Sequence, residues 1–136
     1  MLQVGVDSNG KIEHLKSDIV QDSGYSFNES LPTEALAALI TNCYLSDTFT
    51  VTNEIVRTDT ASNTWCRGPG STEGVAFIEE VMEHIARVTK LDPLQVRLNN
   101  MPPLDNPLPA MINELKATAD YDARKANVEA YNAVSS

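Results

Sequence analysis

The clearest pattern of hydrophobic and polar positions lies between Val75 and Val88. Apolar residues recur there at the spacing of one face of an α-helix. The recurring positions are Val75, Ile78, Met82 and Ile85, and the stripe is widened by Val81 and Val88. Charged residues fall mostly on the opposite side, namely Glu79, Glu80, Glu83 and Arg87. The segment predicts a long amphipathic helix with a solvated acidic face.

Two other stretches alternate apolar and polar residues, as half-buried strands do. Leu2, Val4 and Val6 alternate before a turn at residues 7–10, and a strand-rich composition continues over residues 11–20. This order predicts an antiparallel β-hairpin. Residues 48–52 read Thr-Phe-Thr-Val-Thr, and these β-branched residues predict a strand that ends near Arg57.

Prolines and capping residues indicate shorter helices. Pro32 opens an apolar helix that continues to Ile40. Asp92 and Pro93 are typical of a helix start, and Gln95 is placed to reach back to the cap, so residues 94–98 predict a helix. Residues 99–109 are rich in proline and asparagine and predict an extended connector. Residues 110–118 and 122–133 have helix-favouring compositions, with weakly apolar faces.

These elements together predict an α+β fold. An antiparallel hairpin and a further strand precede a long amphipathic helix and a mostly helical C-terminal half. We divide the chain into a strand-rich part with one short helix, residues 1–58, and a part with a loop and helices, residues 59–136. A length of 136 residues suits one domain or part of one.

Charge and cysteine content argue against several classes of function. A net charge of −9 disfavours nucleic acid and anionic membranes as partners, because both bind clustered Lys and Arg. Cys43 and Cys66 form no C-x-x-C pair and have no neighbouring His, so we expect no metal ligands. The absence of a long apolar run predicts a cytoplasmic protein without a membrane span.

The residues directly before the amphipathic helix are the main candidates for binding a ligand. The bend consists of Arg67, Gly68, Pro69 and Gly70. Its small side chains allow the guanidinium and backbone N–H groups to face one ligand, and the helix dipole favours an anionic or oxo-bearing one. On residue types alone, a plain turn with a solvated or ion-paired arginine is the commoner explanation, and Asp59 and Glu73 are the candidate partners of such a pair. Packing is the usual role of Trp65, and Asn63 and Thr64 are expected to brace the loop.

Three stretches of the chain carry a family resemblance. They read S-N-T-W-C-R-G-P-G-S-T-E-G at residues 62–74, L-D-P-L-Q-V-R-L-N-N-M at 91–101 and D-Y-D-A-R-K-A-N-V-E-A-Y-N at 120–132. In this order they resemble the molybdenum hydroxylases, the family of xanthine dehydrogenase and aldehyde oxidase. The Trp-Cys and Pro-Gly-Ser-Thr-Glu variants look most like insect aldehyde oxidases. The likeness covers nearly the whole chain and is weakest before Ser30.

The resemblance implies roles for individual residues. Arg67 matches the family arginine that contacts the molybdenum cofactor, and Gly68 allows close approach of the backbone. Pro69 stands where xanthine-oxidising members carry a phenylalanine that packs on the flat substrate. In a gap-free register, Ala35 falls where those members carry an arginine that binds the purine oxygen. Both departures indicate a pocket for aldehydes rather than purines.

The resemblance also implies a reaction that this chain supports only in part. Family members oxidise aldehydes or N-heterocycles at the molybdenum cofactor, molybdopterin, and electrons leave through [2Fe-2S] clusters to FAD. The family's base is a glutamate in a G-x-G-E motif, and neither this motif nor the cysteine clusters occur in these residues. We therefore expect an incomplete molybdopterin-binding domain of a homodimeric aldehyde oxidase, with no catalytic residue of its own and inactive alone.

Other hypotheses stay open. The chain is alternatively a truncated scaffold or interaction protein derived from the family, or a segment like xanthine dehydrogenase. From the residues alone, a small anion-binding module that uses Arg67 and the helix start is a further alternative.

Overall fold

A computed structural model of the chain describes residues 1–26 and 31–135. The elements in these ranges are, in order, β1 (Leu2–Val6), β2 (Ile12–Asp22), α1 (Leu31–Leu39), β3 (Phe49–Val56), α2 (Ser71–Thr89), α3 (Pro93–Asn100), α4 (Leu108–Thr118) and α5 (Tyr121–Ser135). The predicted α+β class, the hairpin, the long helix and the mostly helical C-terminal half are confirmed. None of the helices described is long and apolar enough to cross a membrane.

The sheet has β2 at its centre. β1 pairs with β2 in antiparallel register from Leu2 opposite Ser17 to Val6 opposite Ile12, with an irregularity between Gly5 and Val6. β3 pairs with the other side of β2 in parallel, from Phe49 opposite Leu15 to Val56 opposite Asp22. Parallel neighbours need a crossover, and α1 lies in the connection between β2 and β3. Consequently β2 and β3 end at the same edge of the sheet.

The chain forms two compact units, Met1–Pro102 and Pro103–Ser136, which we describe separately. The first contains the sheet and helices α1 to α3, and the second contains α4 and α5. The division of the chain at residues 58 and 59 follows composition and stays a prediction.

The apolar stripe of α2 supplies much of the core of the first unit. Its buried side chains include Ile78, Val81, Met82 and Ile85, which share the core with Ile12, Leu15, Ile40 and Val96. Two predicted members of the stripe are instead exposed, Val75 at 39% and Val88 at 68%. Val88 lies on the margin of the stripe, and Val75 directly follows Gly74, whose side of the helix is the one that contacts α1.

Helices α1 and α2 touch through their backbones. Gly74 is buried in α2, and a methyl group placed on it would lie 3.0 Å from Leu36 O and 3.3 Å from Ile40 N. A side chain here would push α1 outward by a few tenths of an ångström, since most carbon contacts are longer. Gly74 therefore sets the separation of the two helices.

Glu79 on α2 joins two other parts of the first unit, the segment after α1 and helix α3. Its Oε1 accepts hydrogen bonds from Tyr44 OH at 2.7 Å and Asn42 Nδ2 at 3.0 Å. Its Oε2 accepts one from Arg97 Nε of α3 at 2.9 Å, and Arg97 also donates to Glu83 Oε1 at 2.8 Å. The prediction of a solvated acidic face is therefore wrong for Glu79 and Glu83, because both carboxylates pair with an arginine that only the fold brings near.

Helix α3 begins as predicted and ends later than predicted. Asp92 Oδ1 accepts hydrogen bonds from Leu94 N at 2.9 Å and Gln95 N at 3.0 Å, which confirms the cap. Gln95 does not reach back to it; its Nε2 donates to Asn99 Oδ1 at 2.7 Å. The helix continues to Asn100, so the predicted extended connector over 99–109 is shorter than expected.

Asn100 is a buried polar residue that ties α3 to the hairpin turn. Its side-chain oxygen accepts from Ile12 N at 2.8 Å, and its Nδ2 donates to Gly10 O at 2.9 Å and to Val96 O at 2.8 Å. The residue is 3% exposed, so water cannot replace these bonds.

The second unit packs shallowly, as the weakly apolar faces predict. α4 and α5 are joined by an ion pair of 3.2 Å between Lys116 Nζ and Asp122 Oδ1, and the same ammonium lies 5.2 Å from the centre of the Tyr121 ring. No side chain of α4 is buried, and Met111 and Leu115 are 59% and 66% exposed.

Asn100→Ala is expected to lower the free energy of unfolding by roughly 1–3 kcal/mol, because it leaves buried groups of Ile12 and Gly10 unpaired. Asn99→Ala is the control, since both hydrogen bonds of the Asn99 side chain, from Gln95 Nε2 and to Asn9 O, are exposed. Urea unfolding of both variants measures the difference. Equal losses for the two variants would contradict the role of Asn100.

Stability is expected to fall above about pH 10 because of Tyr44. Burial, followed by the hydrogen bond to Glu79, raises the pKa of Tyr44, so the folded state keeps a proton that an unfolded tyrosine releases near pH 10. This contribution is fully present below pH 10 and is lost as pH rises further. Between pH 9 and 11 we expect the stability difference between wild type and Tyr44→Phe to shrink by roughly 1 kcal/mol.

The control for this pH dependence is Tyr25→Phe, which changes a tyrosine that is 69% exposed. Chemical unfolding at each pH provides the free energies. A difference that stays constant for Tyr44→Phe, or shrinks equally for Tyr25→Phe, would contradict the assignment.

Candidate functional site

Residues 57–70, here called the β3–α2 loop, connect β3 to α2 and contain the bend singled out in the sequence. Because β3 runs parallel to β2, the loop leaves the sheet beside the end of β2. The first contacts of the loop are therefore made with the residues that follow that strand.

Asp22, the last residue of β2, accepts hydrogen bonds from the first half of the loop. Its Oδ1 accepts from Thr58 Oγ1 at 2.7 Å, and its Oδ2 accepts from Thr60 Oγ1 at 3.3 Å. Its main-chain oxygen accepts from Asn63 Nδ2 at 2.9 Å, which confirms that Asn63 braces the loop. Hydrogen bonds from the Gly24 N–H and then from Thr58 lower the pKa of Asp22, so it is ionised at neutral pH.

The backbone after Asp22 also binds the loop. Asn63 N donates to Ser23 O and Thr58 N donates to Gly24 O, both at 3.1 Å. Gly24 has a φ of 71°, and a side chain there would lie 2.1 Å from Ala61 O. Only glycine fits so close to another backbone.

The far end of the loop is fixed by the first turn of α2. Ser71 Oγ donates to Gly68 O at 3.0 Å, and Thr72 N donates to the same oxygen at 3.3 Å. Gly68 and Gly70 have φ values of 70° and 71°, which glycine adopts readily. Gly70 occupies the N-cap and has no side chain to bond the N–H groups of the helix.

Residues 64–67 lie between these two fixed ends and are all exposed. Trp65 is 42% exposed, so the indole is not packed into a core of the described residues, and a packing role stays a prediction. Cys66 is an exposed free thiol, while Cys43 is partly buried and its burial raises the pKa of the thiol. The exposed segment is therefore a surface held at both ends rather than part of a core.

Arg67 is the last residue of this exposed segment. Its side chain has no oppositely charged partner within the described ranges. Its guanidinium makes no ion pair with Asp59, Glu73 or any other acidic residue in them. The structural alternative of an arginine paired to stabilise the turn is therefore wrong for these residues. Its N–H donors are available to a ligand.

The remaining predicted site residues lie on neighbouring elements. Pro69 is half-buried in the β3–α2 loop, next to Arg67 and Gly68. Ala35 is half-buried on α1, directly before Leu36, whose carbonyl lies against Gly74 of α2. The helix that bears Ala35 thus contacts the helix that follows Arg67. The described residues include no group of three or more His, Cys, Asp or Glu side chains that would hold a metal ion.

Asp22 was not identified from the sequence. The Asp-Ser-Gly order at residues 22–24 is typical of a turn, and a turn at the end of a strand was the only available indication. Its partners in the β3–α2 loop lie 36 to 41 residues away in the chain, so no local pattern connects them.

The family model of the molybdopterin cofactor-binding domain matches residues 1–101. The chain is 27% identical over 143 residues to nicotinate hydroxylase hnxS and 30% identical over 142 residues to xanthine dehydrogenase, both from Emericella nidulans. Indole-3-acetaldehyde oxidase of Zea mays is 27% identical over 146 residues. Each alignment covers 95–96% of this chain but only 10–11% of the relative. The chain thus spans about a tenth of the length of these relatives.

Solved structures have the same fold. The aldehyde oxidoreductase of Desulfovibrio gigas matches 94% of this chain and 15% of its own, with 25% identity and a TM-score of 0.76. The homologous enzyme of Desulfovibrio desulfuricans has the same TM-score at 23% identity over 91% of this chain and 15% of its own. The chain therefore belongs to the molybdopterin cofactor-binding domain family, as a segment related to the xanthine dehydrogenases and aldehyde oxidases.

Proposed function

We propose that this chain forms part of the cofactor and substrate site of a molybdenum-dependent aldehyde oxidase, in which Arg67 contacts the cofactor. The observation that carries the proposal is the exposed Arg67 side chain, which lies on a loop fixed at both ends and has no acidic partner among the described residues. An exposed arginine on a mobile loop would support the proposal less, since its N–H donors would have no defined direction.

The groups around Arg67 fit the anionic oxo and dithiolene end of the cofactor. The guanidinium offers a planar fork of N–H donors. Gly68 brings no side chain between the backbone and a ligand, and the N–H groups at the start of α2 have no side-chain cap. A helix start of this kind favours negative charge.

The cofactor, when bound, supplies the oxidation chemistry. The role we assign to this chain is to bind and orient it: Arg67 fixes it through directional hydrogen bonds, and Gly68 permits close approach. A glutamate base in a G-x-G-E motif is not among these residues. We therefore assign proton transfer, FAD and the [2Fe-2S] clusters to the remainder of a longer protein, and we expect the chain alone to be inactive.

Pro69 and Ala35 support an aldehyde pocket. Neither side chain has an aromatic ring for stacking or a charged donor for a purine oxygen, and both are half-buried. Indole-3-acetaldehyde oxidase among the relatives agrees with this substrate class. The 30% identity to a xanthine dehydrogenase favours the alternative of a purine or other N-heterocycle.

We infer that the longer protein is a cytoplasmic homodimer whose partners are small molecules. The net charge of −9 supports the exclusion of nucleic acid and anionic membranes from these partners.

Arg67→Ala in the longer protein is expected to weaken cofactor retention about ten- to a hundredfold, since hydrogen bonds from a charged donor contribute roughly 1.5–3 kcal/mol. Molybdenum per polypeptide after gel filtration measures the loss. Arg57→Ala is the matched control, because Arg57 is an exposed arginine of the same loop. Unchanged molybdenum content in Arg67→Ala, or an equal loss in Arg57→Ala, would overturn the assignment.

Pro69→Phe is expected to shift the substrate preference towards purines. A ring at this position offers a stacking contact of about 0.5–1.5 kcal/mol, which corresponds to roughly a two- to tenfold gain in kcat/KM for hypoxanthine relative to an aldehyde. Thr64→Phe places the same ring on an exposed position of the loop and serves as the control. A preference that moves equally in both variants would argue against Pro69 as a wall of the pocket.

A further inference from the structure

The start of the β3–α2 loop is fixed by the end of the strand beside it. Asp22 pairs with Val56 as the last position of the parallel β2–β3 register, so the two chain segments leave the sheet side by side. The carboxylate of Asp22 thus lies where the loop begins, and no other strand separates them.

Asp22 is unusual in how many parts of the loop its atoms reach. Its carboxylate binds the hydroxyls of Thr58 and Thr60, and its main-chain oxygen binds the amide of Asn63. The carboxylate oxygen that binds Thr58, Oδ1, also accepts a hydrogen bond from Gly24 N at 2.8 Å. This bond stabilises the turn after β2, whose backbone also binds the loop. One side chain therefore connects the turn after β2 with the first half of the loop.

The segment that bears Arg67 begins directly after the last of these contacts. Residues 64–67 follow Asn63, and the next fixed point is Gly68 O, held by Ser71 and Thr72. None of the side chains of residues 64–67 is buried. The direction of Arg67 is therefore set by its two ends, because no core packing holds the segment between them.

We propose that Asp22 is the positioning residue of the site, which acts through the β3–α2 loop to direct Arg67 towards the cofactor. This inference rests on the proposed function, since it takes Arg67 as a cofactor contact. The carboxylate of Asp22 accepts hydrogen bonds only from the loop hydroxyls of Thr58 and Thr60 and from Gly24 N among the described residues.

The test compares Asp22→Ala with Arg67→Ala and with the double variant in the holoprotein. Asp22→Ala removes three side-chain hydrogen bonds, and we expect cofactor to dissociate about tenfold faster. In the Arg67→Ala background, the same substitution is expected to have no further effect, because it acts through Arg67. If Asp22→Ala acted only by destabilising the protein, its effect on cofactor dissociation would instead add to that of Arg67→Ala.

Two more variants separate positioning from loss of a strand contact. Asp18→Ala removes a carboxylate that accepts from Thr52 Oγ1 at 2.7 Å between the same two strands, but it contacts no residue of the loop. It is expected to leave cofactor dissociation unchanged. Asp22→Asn keeps an oxygen that can accept from Gly24 N and Thr58, and it is expected to restore most of the wild-type rate.

The rate of trypsin cleavage after Arg67 measures how firmly the β3–α2 loop is held in place. This measurement does not require bound cofactor. In protein freed of cofactor, Asp22→Ala is expected to be cut several-fold faster there than wild type or Asp18→Ala.

Failure of Arg67→Ala to release cofactor would overturn the proposed function and this inference together. Release in Arg67→Ala, with wild-type dissociation and cleavage in Asp22→Ala, would overturn this inference alone. Additive effects in the double variant would do the same.

Discussion

The parallel pairing of β2 with β3 is the constraint on which the candidate site depends. It brings the ends of both strands to one edge of the sheet, where Asp22 meets the loop that follows Val56. An antiparallel β3 would begin its loop at the opposite edge, away from Asp22 and Gly24. The crossover through α1 that parallel pairing requires also supplies the helix that bears Ala35.

The position of helix α2 determines the other side of the site. Gly74 lets α1 lie against its backbone, and the carboxylate of Glu79 binds Tyr44 and Arg97 from two further segments. These contacts fix the axis of α2, and the first turn of that helix holds Gly68. The Glu79–Arg97 pair is partly buried and multiply hydrogen-bonded, so solvent screens it less than an exposed pair such as Glu80–Arg87.

Local patterns predicted the elements but not their partners. Helical spacing from Ile78 to Ile85 reflects burial on one face of α2. In β1 the alternation corresponds to half-buried Val4 and Val6, although Leu2 is 45% exposed. The orientation of β3 was not predictable, because parallel and antiparallel strands share the same alternation. Glu79 and the loop contacts of Asp22 were missed for a related reason: the partners in these contacts are 18 or more residues distant and come near only in the fold. Arg67 was identified from the sequence, whereas the structure was needed to find that no acidic residue in the described part of the chain pairs with it.

The two fixed ends of the segment 64–67 have a thermodynamic consequence for any ligand that it binds. Ordering a free backbone costs about 1–2 kcal/mol per residue, and a ligand that had to order this segment would lose that free energy from its affinity. Because Asn63 and Gly68 are already hydrogen-bonded, most of this loss of entropy accompanies folding. Affinity at this surface is therefore partly a property of how the sheet and α2 fold, and not only of the side chains that touch the ligand.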